Sequence, residues 1–320
     1  MQQGYVTLAH GAGGRQSARL IHDVFRGYLD NPHFTADDAA VMEVPAGRIA
    51  MSTDGFIVSP AEFPGGNVGK LSVCGTVNDL SCMGARPLYL TCSFVLEEGF
   101  SLETLDRIVA AMGKTAREVG VEVVAGDTKV AGKGQVDGCF ITTAGVGRVL
   151  DGVAPAGDKA APGDAVIVTG DIGRHGCAIL LARNDFRIAA AVTSACAPLW
   201  AGVERLLTAV PDTHVIRDAT RGGVGTVLYE LCDESGVGIR LDQEDIPVDD
   251  AVAGVCGMLG LDPLYLACEG RMVVIVPQGE EDAALEALRS SENTAGATLI
   301  GRVTDTHPGK VVIHTAIGSE

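Results

Sequence analysis

The sequence is poor in aromatic and basic residues and has no long apolar run. Aromatic residues make up 4% of the chain, so apolar burial must depend on Ala, Val, Leu and Ile. The 24 Lys and Arg stand against 41 Asp and Glu, which gives a net charge of −17. Surfaces that bind nucleic acid or anionic membranes need clustered cations, so this charge argues against both partners. We find no signal peptide and no apolar stretch of about 18 residues, which predicts a soluble, cytoplasmic protein.

The nine cysteines follow no CxxC pattern. Their scattered positions indicate neither a zinc site nor a disulfide framework. We therefore expect free, mostly buried thiols, and none of them stands out as a nucleophile.

Glycine is abundant, and an α/β pattern occurs twice. The 42 glycines imply many tight turns and some loops that approach a ligand closely. A length of 320 residues suggests about two domains. Residues 150–164 combine proline, glycine and aspartate, and a new strand and helix pattern starts after them. The sequence therefore predicts an α/β (α+β) protein of two domains, residues 1–152 and 153–320, each with a mixed β-sheet and helices.

The segment 63–85 predicts a glycine-rich loop followed by a helix. At helical spacing one face holds small residues and a carboxylate: Ser72, Gly75, Thr76 and Asp79. The opposite face is apolar: Leu71, Cys74 and Val77. We expect the apolar face to pack into the core and the small face to stay open to a closely approaching ligand. Alternatively, Gly75 only allows two helices to touch.

Two more aspartates follow apolar runs. Asp54 occurs in Ser-Thr-Asp-Gly, and Asp127 follows Val121–Ala125, both where a strand is expected to end. Mg²⁺ takes oxygen ligands. In nucleotide sites it is bound by one or two carboxylates together with the phosphates. Together with Asp79, these residues predict a Mg²⁺–polyphosphate site.

Other polar loops keep two interpretations each. Residues 10–14 contain three glycines that suit phosphate oxygens, yet a turn from a strand at 5–9 into a helix explains them as well. Asp218 either pairs with an arginine, or its turn binds an anion at the start of the next helix. Asp38 before a predicted strand at 39–44, Glu269 before an apolar strand, and His175 in a glycine-rich turn are each typical of ordinary solvated or loop positions.

Eight motifs occur in one order along nearly the whole chain: His-Gly-Ala-Gly-Gly at 10–14, Asp-Asp at 37–38, Ser-Thr-Asp-Gly at 52–55, Phe-Pro-Gly-Gly at 63–66, Gly-Thr-Val-Asn-Asp-Leu at 75–80, Glu-Glu-Gly at 97–99, Gly-Asp-Thr-Lys-Val at 126–130, and Arg-Asp-Ala-Thr-Arg-Gly-Gly at 217–223. Together they resemble the HypE family of hydrogenase maturation carbamoyl dehydratases. That family is similar in fold to aminoimidazole ribonucleotide synthetase and selenophosphate synthetase. Eight motifs in order are far more specific than any one of them.

The resemblance implies an enzyme that uses ATP to dehydrate a protein-bound S-carboxamide to a thiocyanate, which supplies cyanide ligands for nickel–iron hydrogenase. It also implies ATP and Mg²⁺ as cofactors, a homodimer paired through its N-terminal domains, and HypF and the HypC–HypD complex as partners.

The resemblance implies roles for individual residues. Lys129 and Glu269 would act in catalysis. The Mg²⁺ ligands would be Asp54, Asp79 and Asp127. The nucleotide-binding residues would be His10, Gly11, Gly13, Gly14, Asp38, Thr53, Asn78, Asp79, Thr128, Asp218, Thr220 and Arg221.

One departure from the family pattern lies at the end of the chain. Family members finish in a flexible tail closing with Pro-Arg-Ile-Cys, whereas this sequence stops at Glu320, and its last cysteine is Cys268. Either the tail has been removed, or this chain cannot carry its own substrate. In both cases we expect the 320-residue form to bind Mg²⁺–ATP without taking up a carbamoyl group. Two alternatives remain: a related ATP-using enzyme for a free small molecule, and a non-catalytic scaffold for HypC–HypD. Selenophosphate synthetase is disfavoured, because no reactive cysteine occurs near the N-terminus.

Overall fold

The computed structural model describes residues 4–12, 14–33, 39–183, 188–316 and 318–319. The first half of the chain contains β1 to β6 and α1 to α5. Their bounds are α1 Leu8–Gly11, α2 Gly14–Leu20, a π-helical turn Ile21–Arg26, α3 Gly27–Leu29, β1 Ile49–Phe56, β2 Glu62–Phe63, β3 Gly66–Asn67, α4 Val68–Cys82, β4 Ala85–Glu97, α5 Leu102–Val119, β5 Glu122–Ala131 and β6 Cys139–Val149.

The second half contains β7 to β13 and α6 to α10. Their bounds are β7 Ala165–Val168, α6 Arg174–Arg183, α7 Trp200–Ala209, β8 Val215–Asp218, α8 Gly223–Ser235, β9 Gly238–Asp242, a 3₁₀ turn Gln243–Asp245, α9 Asp250–Leu259, a 3₁₀ turn Pro263–Tyr265, β10 Met272–Val276, α10 Glu281–Arg289, a 3₁₀ turn Glu292–Thr294, β11 Thr298–Thr304, β12 Val311–Thr315 and β13 Gly318–Ser319.

Each half is built on a mixed sheet with helices. The first sheet has the order β1-β6-β4-β5, and its only parallel pair in the described part of the chain is β4 with β5. The second sheet has the order β13-β12-β9-β11-β7-β10-β8, with β9 and β12 parallel. This is the mixed α/β architecture that the sequence predicts.

Helix α5 illustrates how local sequence fixes an element. Ser101 caps its start, because the Ser101 hydroxyl accepts a hydrogen bond from the Thr104 amide. Gly120 ends it in a left-handed conformation, with φ of 78°. The apolar stripe between these residues is buried, so the helix expected there is confirmed.

Three local expectations are wrong. Residues 5–9 form no strand: Tyr5 makes one isolated bridge to Ser101, and helix α1 starts at Leu8. The described residues 39–44 form no strand either. Strands β1 and β5 continue past Asp54 and Asp127, because β6 pairs with β1 as far as Phe56 and the long β4 pairs with β5 as far as Ala131. Both aspartates therefore lie within strands and not after them.

The small face of α4 is closed and not open to a ligand. Ser72, Gly75 and Thr76 are buried against β1 and β6. The Thr76 hydroxyl lies 2.6 Å from the Thr143 hydroxyl, and a Cβ on Gly75 would approach the Phe56 ring to 2.6 Å. Gly75 thus allows a close contact of helix and strand, and only Asp79, at the end of this face, reaches a cavity.

Two expectations from composition can be compared with the structure. All nine cysteines are buried and free, as expected. Within the described residues, no helix is both long and apolar enough to cross a bilayer.

Candidate functional site

A cavity of about 730 Å³ opens between the two halves of the chain. One part of its wall is polar and acidic: Thr53, Asp54, Asp79, Asp218, Thr220, Arg221 and Glu269. The rest of the wall is largely apolar but holds two basic side chains: Phe56, Ile57, Val58, Leu71, Ile179 and Leu180, with His175 and Arg183. The cavity therefore offers a charged region next to a region suited to an organic group.

Strand β1 and helix α4 hold the acidic residues of the first half. Ser52 and Asp54 are two residues apart on β1 and so point to the same face of the strand. The Ser52 hydroxyl donates a hydrogen bond of 2.5 Å to Oδ2 of Asp79 near the end of α4. This bond fixes the Asp79 carboxylate beside Asp54.

The second half contributes Asp218 and Glu269 through neighbouring chain segments. Asp218 is the last residue of β8, and the carbonyl of the next residue, Ala219, accepts from the Cys268 amide. The Glu269 carbonyl accepts from the Ala197 amide at 3.3 Å. Main-chain hydrogen bonds on both sides therefore set the positions of these two acids.

Burial and neighbouring carboxylates raise the pKa of Asp79, Asp218 and Glu269. Burial is the main cause for Asp79, and the nearby Asp54 adds to the rise. Burial, together with Asp79, raises the pKa of Asp218 to about 6. Burial raises the pKa of Glu269 to about 8, with further contributions from Asp218, Asp54 and Asp79. Arg217 and Arg221 offset only part of this rise, so a cation bound beside the carboxyl groups would favour their charged forms.

The start of α8 faces the same cavity. Thr220 and Arg221 lie just before this helix, which begins at Gly223. Gly222 and Gly223 have φ of 74° and 64°, and a Cβ on Gly223 would come within 2.4 Å of the Leu264 carbonyl oxygen. Only glycine fits there. The Gly223 amide donates to the Thr220 carbonyl at 3.1 Å. The positive end of the helix dipole and the Arg221 guanidinium together favour an anion such as phosphate.

A second, smaller cavity of about 260 Å³ holds five more of the predicted residues: His10, Gly11, Asp127, Thr128 and Lys129. Its remaining wall is mostly apolar: Leu20, Ile21, Phe25, Leu29, Cys92 and Phe94. The Lys129 ammonium donates to Oδ1 of Asp127 at 2.8 Å, and this bond lowers the pKa of Asp127. The two cavities share no described residue, so one chain does not bring Asp127 and Lys129 together with Asp54, Asp79 and Glu269.

Asn78 lies in neither cavity. Its side chain is buried, with Nδ2 donating to the Ala197 carbonyl at 3.1 Å and Oδ1 accepting from the Leu199 amide at 2.9 Å. Asn78 therefore joins the two halves. Gly14 is an exposed residue with φ of 77°. Gly13 and Asp38 lie outside the described residues.

The oxygen donors of the acidic cavity suit Mg²⁺ only in one binding mode. Among the described residues, no three acidic, His or Cys side chains are grouped closely enough to hold a metal ion by themselves. Mg²⁺ commonly binds through one or two carboxylates and takes its remaining ligands from water and phosphate. Asp54 and Asp79, adjacent and acidic, fit that mode, so the site suits Mg²⁺ only together with a polyphosphate.

Ser52 and His175 were not among the predicted site residues. The Ser52 contact with Asp79 spans 27 positions in sequence and leaves no local pattern. His175 resembles a loop residue in sequence, but it is buried against Phe63, with ring centroids 5.4 Å apart. The sequence signal that could have indicated His175 is the Phe-Pro-Gly-Gly motif at 63–66, because its Phe63 ring contacts this histidine.

The fold and the acidic cavity define an AIR synthase related protein. The family model of the N-terminal domain of these proteins matches residues 36–149, and that of the C-terminal domain matches residues 161–314. The carbamoyl dehydratase HypE of Rhodobacter capsulatus is 45% identical over 317 residues, which cover 98% of this chain and 93% of that protein. The chain belongs to the HypE carbamoyl dehydratase family, and the resemblance seen in its motifs is confirmed.

Two solved structures extend this comparison. Hydrogenase maturation protein HypE in complex with ATP is 46% identical, with a TM-score of 0.94 over 98% of this chain and 96% of that one. A chain of the HypE–HypF complex is 44% identical, with a TM-score of 0.83 over 94% of this chain and 98% of that one.

Proposed function

We propose that this protein is an ATP-dependent carbamoyl dehydratase, which converts a protein-bound S-carboxamide to a thiocyanate for the cyanide ligands of nickel–iron hydrogenase. The observation that carries the proposal is the cluster of Asp54, Asp79, Asp218 and Glu269 in one cavity with the start of α8. Carboxylates for Mg²⁺ and helix amides for phosphate are what ATP binding requires. The HypE structure with ATP, at 46% identity, supports the same assignment.

We assign Mg²⁺ to Asp54 and Asp79, with Ser52 orienting Asp79 through its hydrogen bond. Bound Mg²⁺ would neutralise the charge that develops on the transferred phosphoryl group. Thr220 and Arg221, just before the start of α8, would bind phosphate oxygens.

The reaction requires phosphoryl transfer to the amide oxygen and removal of two N–H protons. The overall balance is R–S–C(O)NH₂ + ATP → R–S–C≡N + ADP + phosphate, in which the amide oxygen leaves with the phosphate. Glu269 lines the cavity, and its pKa of about 8 suits a carboxyl group that takes up and releases protons near neutral pH. Lys129 would stabilise the developing negative charge or transfer a proton.

A homodimer would allow residues of the two cavities to act in one reaction. If Lys129 and Glu269 serve one reaction but line separate cavities within a chain, the second copy must supply one of them. The first sheet favours such pairing. Among the described residues its strand β1 pairs with β6 alone, and it carries Ile49 and Met51 with 52% and 73% of their surface exposed. Exposed apolar residues on an unpaired strand edge are typical of a surface that another chain covers.

We further propose HypF as the source of the carbamoyl group and HypC–HypD as the recipient of the cyanide. The known complex of a 44%-identical HypE with HypF supports the first partner. The cytoplasmic location and the domain limits at 152 and 153 stay predictions. The 150–164 segment, which lies between β6 and β7, supports the latter.

The test is conversion of a short synthetic peptide ending in S-carbamoylcysteine, incubated with the protein, ATP and Mg²⁺. Mass spectrometry should show loss of water from the peptide, with release of phosphate in equal amount. Lys129→Ala and Glu269→Ala should still bind ATP by calorimetry but leave the peptide unchanged. If the unsubstituted protein binds ATP and a HypC–HypD complex but never dehydrates the peptide, it is a scaffold and the proposed reaction is wrong.

A further inference from the structure

His175 is a buried histidine that still reaches the reaction cavity. Its side chain is 6% exposed and lines the cavity beside Ile179. Nδ1 lies 2.8 Å from the Ser194 hydroxyl, while Nε2 has no partner among the described residues. Within those residues, every fully buried side-chain nitrogen or oxygen has a hydrogen-bond partner. Nε2 is therefore not sealed in the core, and it opens towards the cavity.

The hydrogen bonds of Ser194 determine which ring nitrogen of His175 carries the proton. The Ser194 hydroxyl oxygen already accepts from the Cys196 amide at 3.0 Å. Its own hydrogen has one acceptor within the described part of the chain, Nδ1 of His175. A hydroxyl oxygen can accept two hydrogen bonds, but an Nδ1–H donating to it would leave the hydrogen of this buried hydroxyl without an acceptor. Nδ1 is therefore assigned as the acceptor, and the neutral imidazole carries its hydrogen on Nε2. His175 thus presents an N–H donor to the cavity.

The imidazole is held in place from the other half of the chain. The Phe63 ring meets it edge to face at an angle of 87°. The Ser194 amide donates to the Pro64 carbonyl at 2.8 Å, and a Cβ on Gly65 would come within 2.5 Å of the Ser194 carbonyl oxygen. Phe63–Gly65 therefore fixes both the ring and the serine that orients it. Such rigidity is typical of a group that must meet a ligand at one position.

His175 belongs to the apolar part of the cavity wall. Burial alone lowers its pKa to about 4, and no carboxylate of the acidic cluster contributes to that shift. The ring therefore stays neutral at physiological pH, on a wall that also holds Ile179 and Leu71. The cation of that wall, Arg183, donates from Nε to the Ser59 carbonyl at 3.0 Å. A neutral donor among apolar side chains suits a carbonyl oxygen on an organic group better than a phosphate, which attracts cations.

We propose that His175 binds the carbamoyl substrate, donating from Nε2 to a carbonyl oxygen of the S-carboxamide or of the peptide that carries it. This inference rests on the proposed function, since it identifies the side of the cavity that receives the organic substrate. ATP and Mg²⁺ belong to the acidic side.

The experiment measures binding and turnover separately with the S-carbamoylcysteine peptide. In His175→Phe, which keeps an aromatic ring but has no donor, KM for the peptide should rise about 2- to 12-fold, as expected for one neutral hydrogen bond. The Kd for Mg²⁺–ATP should not change. His175→Gln, which keeps an N–H donor, should restore much of the loss. Peptide titration should also shift the Nε2 signal of His175 in ¹⁵N NMR, a change that a purely structural histidine would not show.

Two results would overturn the inference. An unchanged KM for the peptide in His175→Phe, or an unshifted Nε2 signal at saturating peptide, would return His175 to a structural role while leaving the proposed reaction intact. If the unsubstituted protein binds no peptide at all, the proposed function fails together with this inference.

Discussion

Acidification should destabilise the protein through His175, and the size of the effect follows from its surroundings. Burial lowers the pKa of His175 to about 4 in the folded protein, against about 6.5 in an unfolded chain. A group whose folded pKa is depressed contributes its full stability above the unfolded pKa and loses it as pH falls towards the folded pKa. The loss from His175 alone should reach about 2 kcal/mol of unfolding free energy between pH 7 and pH 5.

The acidic cluster acts in the opposite direction, so the wild-type protein alone does not reveal this effect. Asp218 and Glu269 have raised pKa values of about 6 and about 8, and the folded state therefore binds their protons more tightly than the unfolded state does. Their contribution to stability increases as pH falls. A comparison of variants at two pH values separates the two effects.

We therefore compare urea unfolding of the wild type and His175→Gln, followed by far-UV circular dichroism at pH 7 and pH 5. His175→Gln should be destabilised at pH 7 through lost packing. From pH 7 to pH 5, however, the change in its unfolding free energy should be about 2 kcal/mol more favourable than that of the wild type. His314→Gln is the control for replacing a histidine by glutamine, because the His314 side chain is 61% exposed and so loses little packing. Equal losses in His175→Gln and wild type would refute the assigned burial of the neutral imidazole.

Three further predictions concern the site, the dimer and the packing of glycine. Asp54→Asn and Asp79→Asn should each weaken Mg²⁺–ATP binding in calorimetry without lowering the melting temperature. For Asp79, burial and the neighbouring Asp54 raise the pKa and so disfavour the charged form; a fall in melting temperature with unchanged affinity would contradict this. If Lys129 and Glu269 act across a dimer interface, mixing Lys129→Ala with Glu269→Ala chains should restore about a quarter of the activity after random exchange, whereas no recovery would place both residues in one chain's site. Gly69→Ala should lose about 1–3 kcal/mol of stability, because its Cβ would meet the Ile108 carbonyl oxygen at 2.0 Å. Gly254→Ala is the control, because Gly254 lies in an open part of α9, and it should gain about 0.5–1 kcal/mol. Equal effects of the two substitutions in thermal melts would show that the Gly69 contact does not matter for stability.

The sequence predicts well whatever depends on local pattern. The α5 helix needs only its Ser101 cap, its apolar stripe and Gly120, and all three are visible in the sequence. Strand limits depend on partners far away in the chain. Asp54 and Asp127 have glycines next to them that suggest strand ends, but pairing with β6 and β4 extends both strands.

The candidate site shows the same division. Asp54, Asp79 and Asp218 lie in the ordered motifs, whereas Glu269 follows from the family resemblance alone, and the structure brings these four into one cavity. Their pKa values could not be predicted, since they depend on burial and on mutual approach across the two halves. The interpretation of α4 failed for a related reason. A stripe of small residues indicates close approach, but it does not reveal whether a ligand or strand β1 approaches.

The two halves of the chain are packed as one body around the cavity. One apolar cluster contains Val77 of α4, Ile167 of β7 and Leu206 of α7, so it crosses from the first sheet to the second. A Cβ on Gly84 would approach the side chains of Val153 and Leu207 to 2.8 and 3.3 Å. Closing the cavity by a rigid rotation of the halves would have to expose this core. We therefore expect substrates to enter a cavity of nearly fixed width.

Substitution of Asn78 tests whether its side chain holds the two halves of the chain together or binds the nucleotide. Asn78→Ala would leave the Leu199 amide and the Ala197 carbonyl buried without partners, at a cost of about 1–3 kcal/mol. Asn293→Ala is a matched control, because exposed Asn293 makes one bond to the same loop, to the Pro198 carbonyl. Thermal melting should show a large loss for Asn78→Ala and a small one for Asn293→Ala, with ATP affinity retained in both. A stable Asn78→Ala protein that no longer binds ATP would instead make Asn78 a nucleotide-binding residue. The two halves of the chain would then have to be held together by the apolar cluster alone.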